Sequence, residues 1–208
     1  MPSPKERFQK VVSGLRWFPA LILDSLFPVR CIGCRKPDTW LCSECYRKIP
    51  RLTPSAILFD KRDSPDQKLD GLIAATLFRT PIVARLIHLY KYAFVEDLKI
   101  PLGRLLAESL LRTSLPLPHF ITFVPLHPRR LRQRGWNQSE LLAQELCASL
   151  NTPVPLFSTN TLLRRTRFTK PQIRTRSRAE RLKNLEGAFQ VTGNIPPLKH
   201  QIIWIVDD

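Results

Sequence analysis

Four cysteines pose the first chemical question. Cys31 and Cys34 form one C-x-x-C pair and Cys42 and Cys45 form a second, with seven residues between the pairs. Each pair can wrap two thiolates around one ion through a tight turn, the first eased by Gly33, and two pairs complete a tetrahedral sulfur shell that suits zinc. Soft thiolates with no imidazole or carboxylate in the set favour zinc over magnesium or calcium. Four protein ligands leave no open position for water or substrate, so the expected role is structural. An iron–sulfur cluster and a redox dithiol pair are the alternatives that the same spacing allows. The fifth cysteine, Cys147, shares a helical register with Leu142, Leu146 and Leu150 and reads as a core thiol.

The second question is set by arginine. Arg129, Arg130, Arg132 and Arg134 fall within six residues, and residues 163–183 add Arg164, Arg165, Arg167, Lys170, Arg174, Arg176, Arg178, Arg181 and Lys183. The chain carries a net charge of +16, and residues 125–190, with 13 basic and 4 acidic side chains, hold more than half of it. A field of that sign attracts polyanions such as nucleic acid, phosphorylated small molecules or acidic lipid. Phe168 is the only aromatic residue of residues 163–183, a thin supply of stacking surface for a single-strand binder. At the end of the sequence, residues 201–206 read as a buried strand that delivers the acidic pair Asp207 and Asp208.

These groups need elements to hold them. With 208 residues, 43% hydrophobic and 24% charged, the composition is that of a water-soluble globular chain rather than a disordered, fibrous or multi-span membrane one. Residues 17–23 are too few to span a bilayer, and no small-residue cleavage site follows them. They read as an amphipathic helix, with peripheral membrane contact as the lesser alternative. No stable membrane insertion is expected, and the chain is expected in the cytoplasm, where thiols stay reduced. Residues 51–70, with Pro54 and Pro65 and little periodicity, read as a linker. Beyond it come a strand over 72–78 and a helix opened by Pro81, with Val83, Leu86, Ile87 and Tyr90 on one face. Arg85, His88 and Lys91 occupy the other face, a solvated surface or a functional one. A second helix is expected over 101–112. A strand over 120–124 then leads into an arginine-rich loop and a helix entered through Gly135 and capped by Asn137, with Glu140 three residues on. Strand, loop and helix make a βα unit, the place where open parallel sheets bind ligands. Residues 178–185 can form one more helix. The organisation expected is an N-terminal helix and four-cysteine module over 1–50, the linker over 51–70 and an α/β domain over 71–208.

Five stretches, LFPVRCIGC with CSEC, LIHLYKY, VPLHPRRLRQRGWNQSELLA, LLRRTRFTKPQIRTRSRAERLKNLEGAF and IIWIVDD, together resemble the ComF family, also called GntX-like or amidophosphoribosyltransferase-like proteins. The likeness runs over most of the chain. It implies a type I phosphoribosyltransferase-like parallel sheet with helices behind a small zinc-binding module of four cysteines, and a link to competence and DNA uptake. On this resemblance Arg129, Arg130 and Arg134 approach the pyrophosphate of phosphoribosyl pyrophosphate. Asp207 and Asp208 correspond to an acidic pair that meets the ribose hydroxyls and works with Mg2+. Residues 165–181 correspond to a flexible hood loop, with Arg165, Lys170, Gln172, Arg178 and Arg181. The family pattern continues after the acidic pair with a Thr-Thr-Gly-x-Thr turn that cradles the 5′-phosphate at a helix N-terminus. The sequence stops before it, so the resemblance implies a truncated member, catalytically impaired, whose binding of phosphoribosyl pyrophosphate belongs to the full-length form. The alternative is a non-enzymatic protein that binds single-stranded DNA or a DNA-processing complex, competence proteins among its partners, through the basic loops.

Overall fold

The computed structural model describes residues 28–52, 57–58, 69–113, 115–150, 162–172, 175–192 and 200–208. The helix expected over 17–23 and most of the linker lie outside the described residues. The chain divides into two compact units, one formed by residues of 1–51 and 76–101, the other by residues of 52–75 and 102–208.

In the first unit, helix α1 (Ser43–Arg47) begins at the second cysteine pair. Helix α2 (Pro81–Tyr92) opens with proline at its first position, where the missing N–H costs nothing. Its stripe Val83, Leu86 and Tyr90 is fully buried, while Arg85 and His88 are exposed. A short 3-10 turn, Glu96–Leu98, follows and buries Leu98.

The second unit holds the sheets. Strand β1 (Ile57–Leu58) pairs antiparallel with β2 (Gly71–Leu72). The strand expected over 72–78 therefore ends almost where it starts. Among the described residues the pairing covers Gly71 and Leu72, the Thr76 hydroxyl donates to the Pro50 carbonyl at 2.7 Å, and a turn from Leu77 to Thr80 follows. Leu77 and Phe78 are accordingly exposed.

Helix α3 (Lys99–Leu111) leads to β3 (Phe120–Phe123), which pairs in parallel with the distant β6 (Ile203–Val206). The His119 ring anchors this pair at its start, Nδ1 accepting from the Ile202 N–H at 2.9 Å, and the Val124 N–H extends it to the Val206 carbonyl at 3.0 Å. Ile121, Thr122 and Phe123 are buried, as a parallel strand covered on its faces requires.

The expected arginine loop is a helix, α4 (Pro128–Arg134), and each end has a cause. The His127 side chain accepts from the Arg129 N–H, Pro128 fixes the first helical φ, and Gly135 at φ 85 closes the last turn, as only glycine does without strain. Between them stand good helix formers, with Arg132 and Arg134 at the end where the helix dipole favours cations. Helix α5 (Gln138–Ser149) follows, capped by Asn137 as expected, with Leu142 and Leu146 buried. Beyond it, β4 (Leu163–Arg165) and β5 (Phe189–Val191) form an antiparallel pair around helix α6 (Arg178–Leu185), whose bounds match the expectation.

Helices α3 and α5 press together at Gly103, where an added Cβ would lie 2.4 Å from Glu145 Cβ. Gly103→Ala gains helix propensity worth about 1 kcal/mol but must push the helices apart, and overpacking typically costs about 1–3 kcal/mol. The urea midpoint is expected to fall with an unchanged m-value. A midpoint that rises would show that the contact yields freely.

Candidate functional site

Two constellations gather the residues singled out above, one in each unit. In the first unit Cys42 caps α1, its sulfur accepting from the Cys45 N–H at 3.5 Å, while the Cys31 sulfur accepts from the Cys42 N–H at 3.4 Å. The sulfurs of Cys34 and Cys42 stand 3.6 Å apart, and all four sulfurs lie within 4.8 Å of one another. Zinc–sulfur bonds of about 2.3 Å would set tetrahedral sulfurs about 3.8 Å apart, so the four thiols fit one metal ion of that kind. Cys31, Cys42 and Cys45 are buried, with Leu41 and Ile82 packed against them, and Cys34 is exposed. Burial pushes the Cys31 thiol up, but the N–H groups of Cys42, Cys34 and Gly33 outweigh it and bring the pKa down to about 6. Burial and the neighbouring thiols push Cys45 up to about 12. Cys147 is half-buried on α5, and burial raises its pKa as expected of a packed thiol.

Gly33 leaves the room that the cluster needs, since a Cβ there would lie 2.6 Å from the Cys45 sulfur. Gly33→Ala is expected to weaken metal binding by about tenfold, the scale of a lost supporting contact around ligands. Chelator competition measures it, and equal affinity in parent and variant would show that the turn tolerates a side chain.

The second constellation stands at the carboxyl ends of β3 and β6. Their parallel register brings residues 124–127 and the pair Asp207 and Asp208 to one end of the sheet. Asn137 Nδ2 donates to the Val124 carbonyl at 3.0 Å, and the Ser139 hydroxyl donates to Asp207 Oδ1 at 2.8 Å. Both carboxylates are exposed. Nearby, α4 and residues 168–171 enclose an open cleft of about 570 Å³ lined by Arg130, Gln133, Arg134, Phe168, Lys170 and their neighbours.

The cationic residues differ in what holds them. Arg130 Nη2 donates to the Thr169 carbonyl at 3.0 Å, and Arg134 Nη1 donates to Gln138 Oε1 at 3.1 Å. Arg129 is exposed, its guanidinium 4.9 Å from the centre of the Phe168 ring, with Arg130 at 5.5 Å from the same ring and His127 meeting it edge-on. Burial, and then the charge of Arg134, hold the Arg130 guanidinium below its ordinary range.

The hood residues scatter. Lys170 lines the cleft, and Asn184 on α6 donates to its carbonyl at 2.9 Å. Gln172 is half-buried, and its carbonyl accepts from the Thr175 hydroxyl at 2.5 Å. Arg178 and Arg181 are exposed on α6, whose start is closed by Ser177 accepting from the Glu180 N–H and Glu180 accepting from the Arg176 N–H. Arg165 is buried at the end of β4. Arg174 lies outside the described residues. Sequence reasoning missed Thr169, Gln133 and Ser139. Only Ser139 left a signal, its place in the first turn after the Asn137 cap.

The DNA utilization protein YhgH of Salmonella typhi is 36% identical over 133 residues, covering 62% of this chain and 55% of that protein. The protein of the same name in Escherichia coli strain K12 is 35% identical over 132 residues, with the same shares. The chain thus spans about half the length of these relatives. Competence protein F of Haemophilus influenzae is 27% identical over 202 residues, covering 88% of this chain and 86% of that protein. No family model matches the chain, and no solved structure matches it. Among the described residues no helix is long and apolar enough to cross a membrane.

Proposed function

We propose, from the premise that this chain belongs to the ComF family, that its cleft binds a phosphorylated ligand in the service of competence and DNA utilization. The observation that carries this reading is the meeting of Arg130, Arg134 and Lys170 around one cleft at the carboxyl end of a parallel strand pair that also ends in Asp207 and Asp208. Arginine and lysine would hold a diphosphate, the two carboxylates would face sugar hydroxyls, and phosphoribosyl pyrophosphate unites those groups in one molecule. Exposed carboxylate oxygens suit a hard cation, and Mg2+ when bound would neutralise diphosphate charge. In a phosphoribosyltransferase-type reaction the guanidinium groups would stabilise the negative charge that builds as pyrophosphate leaves. Helix α4, capped at both ends, holds Arg130 and Arg134 in place before any ligand arrives, and so lowers the ordering cost of binding.

Calorimetry with inorganic pyrophosphate and with phosphoribosyl pyrophosphate, in the presence of magnesium, tests the reading. Arg130→Ala is expected to weaken both ligands by about tenfold or more, the scale of a charged hydrogen bond. Binding indifferent to both Arg130 and magnesium would remove the small-molecule reading.

The names of the relatives favour a second reading, in which single-stranded DNA follows the same cationic surface from α4 to α6. Its affinity would then fall linearly in log K against log salt. Charge reversal at Arg176 and Arg178 would flatten that slope, and an unchanged slope would count against the strand running there.

The four cysteines would take zinc in a structural role, in a chain working in the reducing cytoplasm. Metal analysis of purified protein is expected to give close to one zinc per chain. A content below about half an equivalent with four titratable thiols would exclude the closed site.

A further inference from the structure

Arg165, the last residue of β4, is 8% exposed, and its guanidinium lies 5.1 Å from the centre of the Phe189 ring on the paired strand β5. Taking a guanidinium out of water is costly unless its donors are met, and an apolar residue of similar size often serves a core better. Arg165 recovers little of that cost locally. Its Nη2 donates to the Thr169 hydroxyl at 2.5 Å, while its Nε, buried, meets no partner among the described residues. Nor does it line the cleft. Packing in the sheet and direct ligand contact both leave this arginine unexplained.

Thr169 supplies the explanation. It is 4% exposed, and it is held from two sides: its hydroxyl accepts from Arg165 and its carbonyl accepts from Arg130 Nη2. Two guanidinium groups from separate elements, β4 and α4, are thereby pinned to one buried residue in the wall of the cleft. Burial and then the charge of Arg130 pull the Arg165 pKa down, and the charge of Asp207 pulls it up. The carboxylate at the end of β6 thus offsets part of what the cationic pair costs.

Resting on the reading of the cleft as an anion site, we propose that Arg165 is a positioning residue for Arg130. By holding the Thr169 hydroxyl it fixes the Thr169 carbonyl against Arg130, and so sets the direction in which Arg130 offers its remaining N–H groups to an anion. A buried arginine at the end of a strand is a stiff support, because its own ring contact and strand pairing hold it. Without it residues 166–172 keep the Thr169 carbonyl but lose what aims it.

The test uses the full chain, inorganic pyrophosphate as the probe and thermal unfolding beside calorimetry. Arg165→Met and Thr169→Val, each removing one end of the hydrogen bond, are expected to weaken pyrophosphate by about tenfold. The melting temperature of Arg165→Met should hold or rise, since the buried charge is gone, whereas a merely structural arginine would lose stability and affinity together. In the Arg130→Ala background neither substitution should weaken binding further, because the three residues act in series. Losses that remain fully additive there would overturn the proposal, as would unchanged affinity in both single variants while Arg130→Ala weakens binding. Should Arg165→Met fail to fold, Thr169→Val carries the same test. If Arg130→Ala itself leaves pyrophosphate affinity unaltered, it is the anion reading of the cleft that falls, and the positioning role with it.

Discussion

The parallel pairing of β3 with β6 is the constraint on which the rest of the second unit depends. Two strands about eighty residues apart in the chain can lie side by side in the same direction only if everything between them is carried over the sheet and back. That crossover places the residue after each strand at the same end. It is the reason that a chain segment starting at Val124 and a carboxylate at Asp207 meet on Asn137 and Ser139, neighbours at the start of one helix. Antiparallel pairing would have put the acidic pair at the opposite end from α4.

Charge then works within that frame. Arg129, Arg130, Arg132 and Arg134 repel one another, and a flexible loop would let them spread apart into water. Confining them to a seven-residue helix stores that repulsion, which the structure moderates with a carbonyl for Arg130, an amide oxygen for Arg134 and the face of Phe168 for Arg129. None of these partners carries a negative charge. The cleft therefore keeps its field for a solute, and an anion that enters replaces neutral acceptors with a charged one.

Much of this is legible in the residues. The cysteine spacing leads to a real cluster because two tight turns leave little freedom in where four sulfurs can go. Helix α5 is announced by Asn137 and its leucine stripe, and α6 falls on the residues 178–185 expected to be helical. Failure comes where local and distant influences compete. A run of arginines looks like a loop, and the decisive cap comes from the ring of His127, a residue with no strong capping preference. The apolar stretch 72–78 has the right composition for a strand, but pairing is a property of two segments, and among the described residues it holds only at Gly71 and Leu72. In the sequence Arg165 is one of nine cations in a stretch that reads as a flexible hood loop. Only the pairing of β4 with β5 turns its side chain inward, and nothing in residues 163–183 encodes that partner.

The first unit is assembled from two stretches separated by a segment that belongs to the other. Ile82, which packs on the cysteine cluster, is translated some forty residues after the thiols it covers. On the ribosome, where chains emerge from the N-terminus at about 5–20 residues per second, the four sulfurs are exposed for seconds before their cover exists. Metal capture thus has a window during synthesis in which the site is open to ions and to oxidants alike. Once α2 arrives, Ile82 packs on the buried thiols and only Cys34 of the four stays exposed.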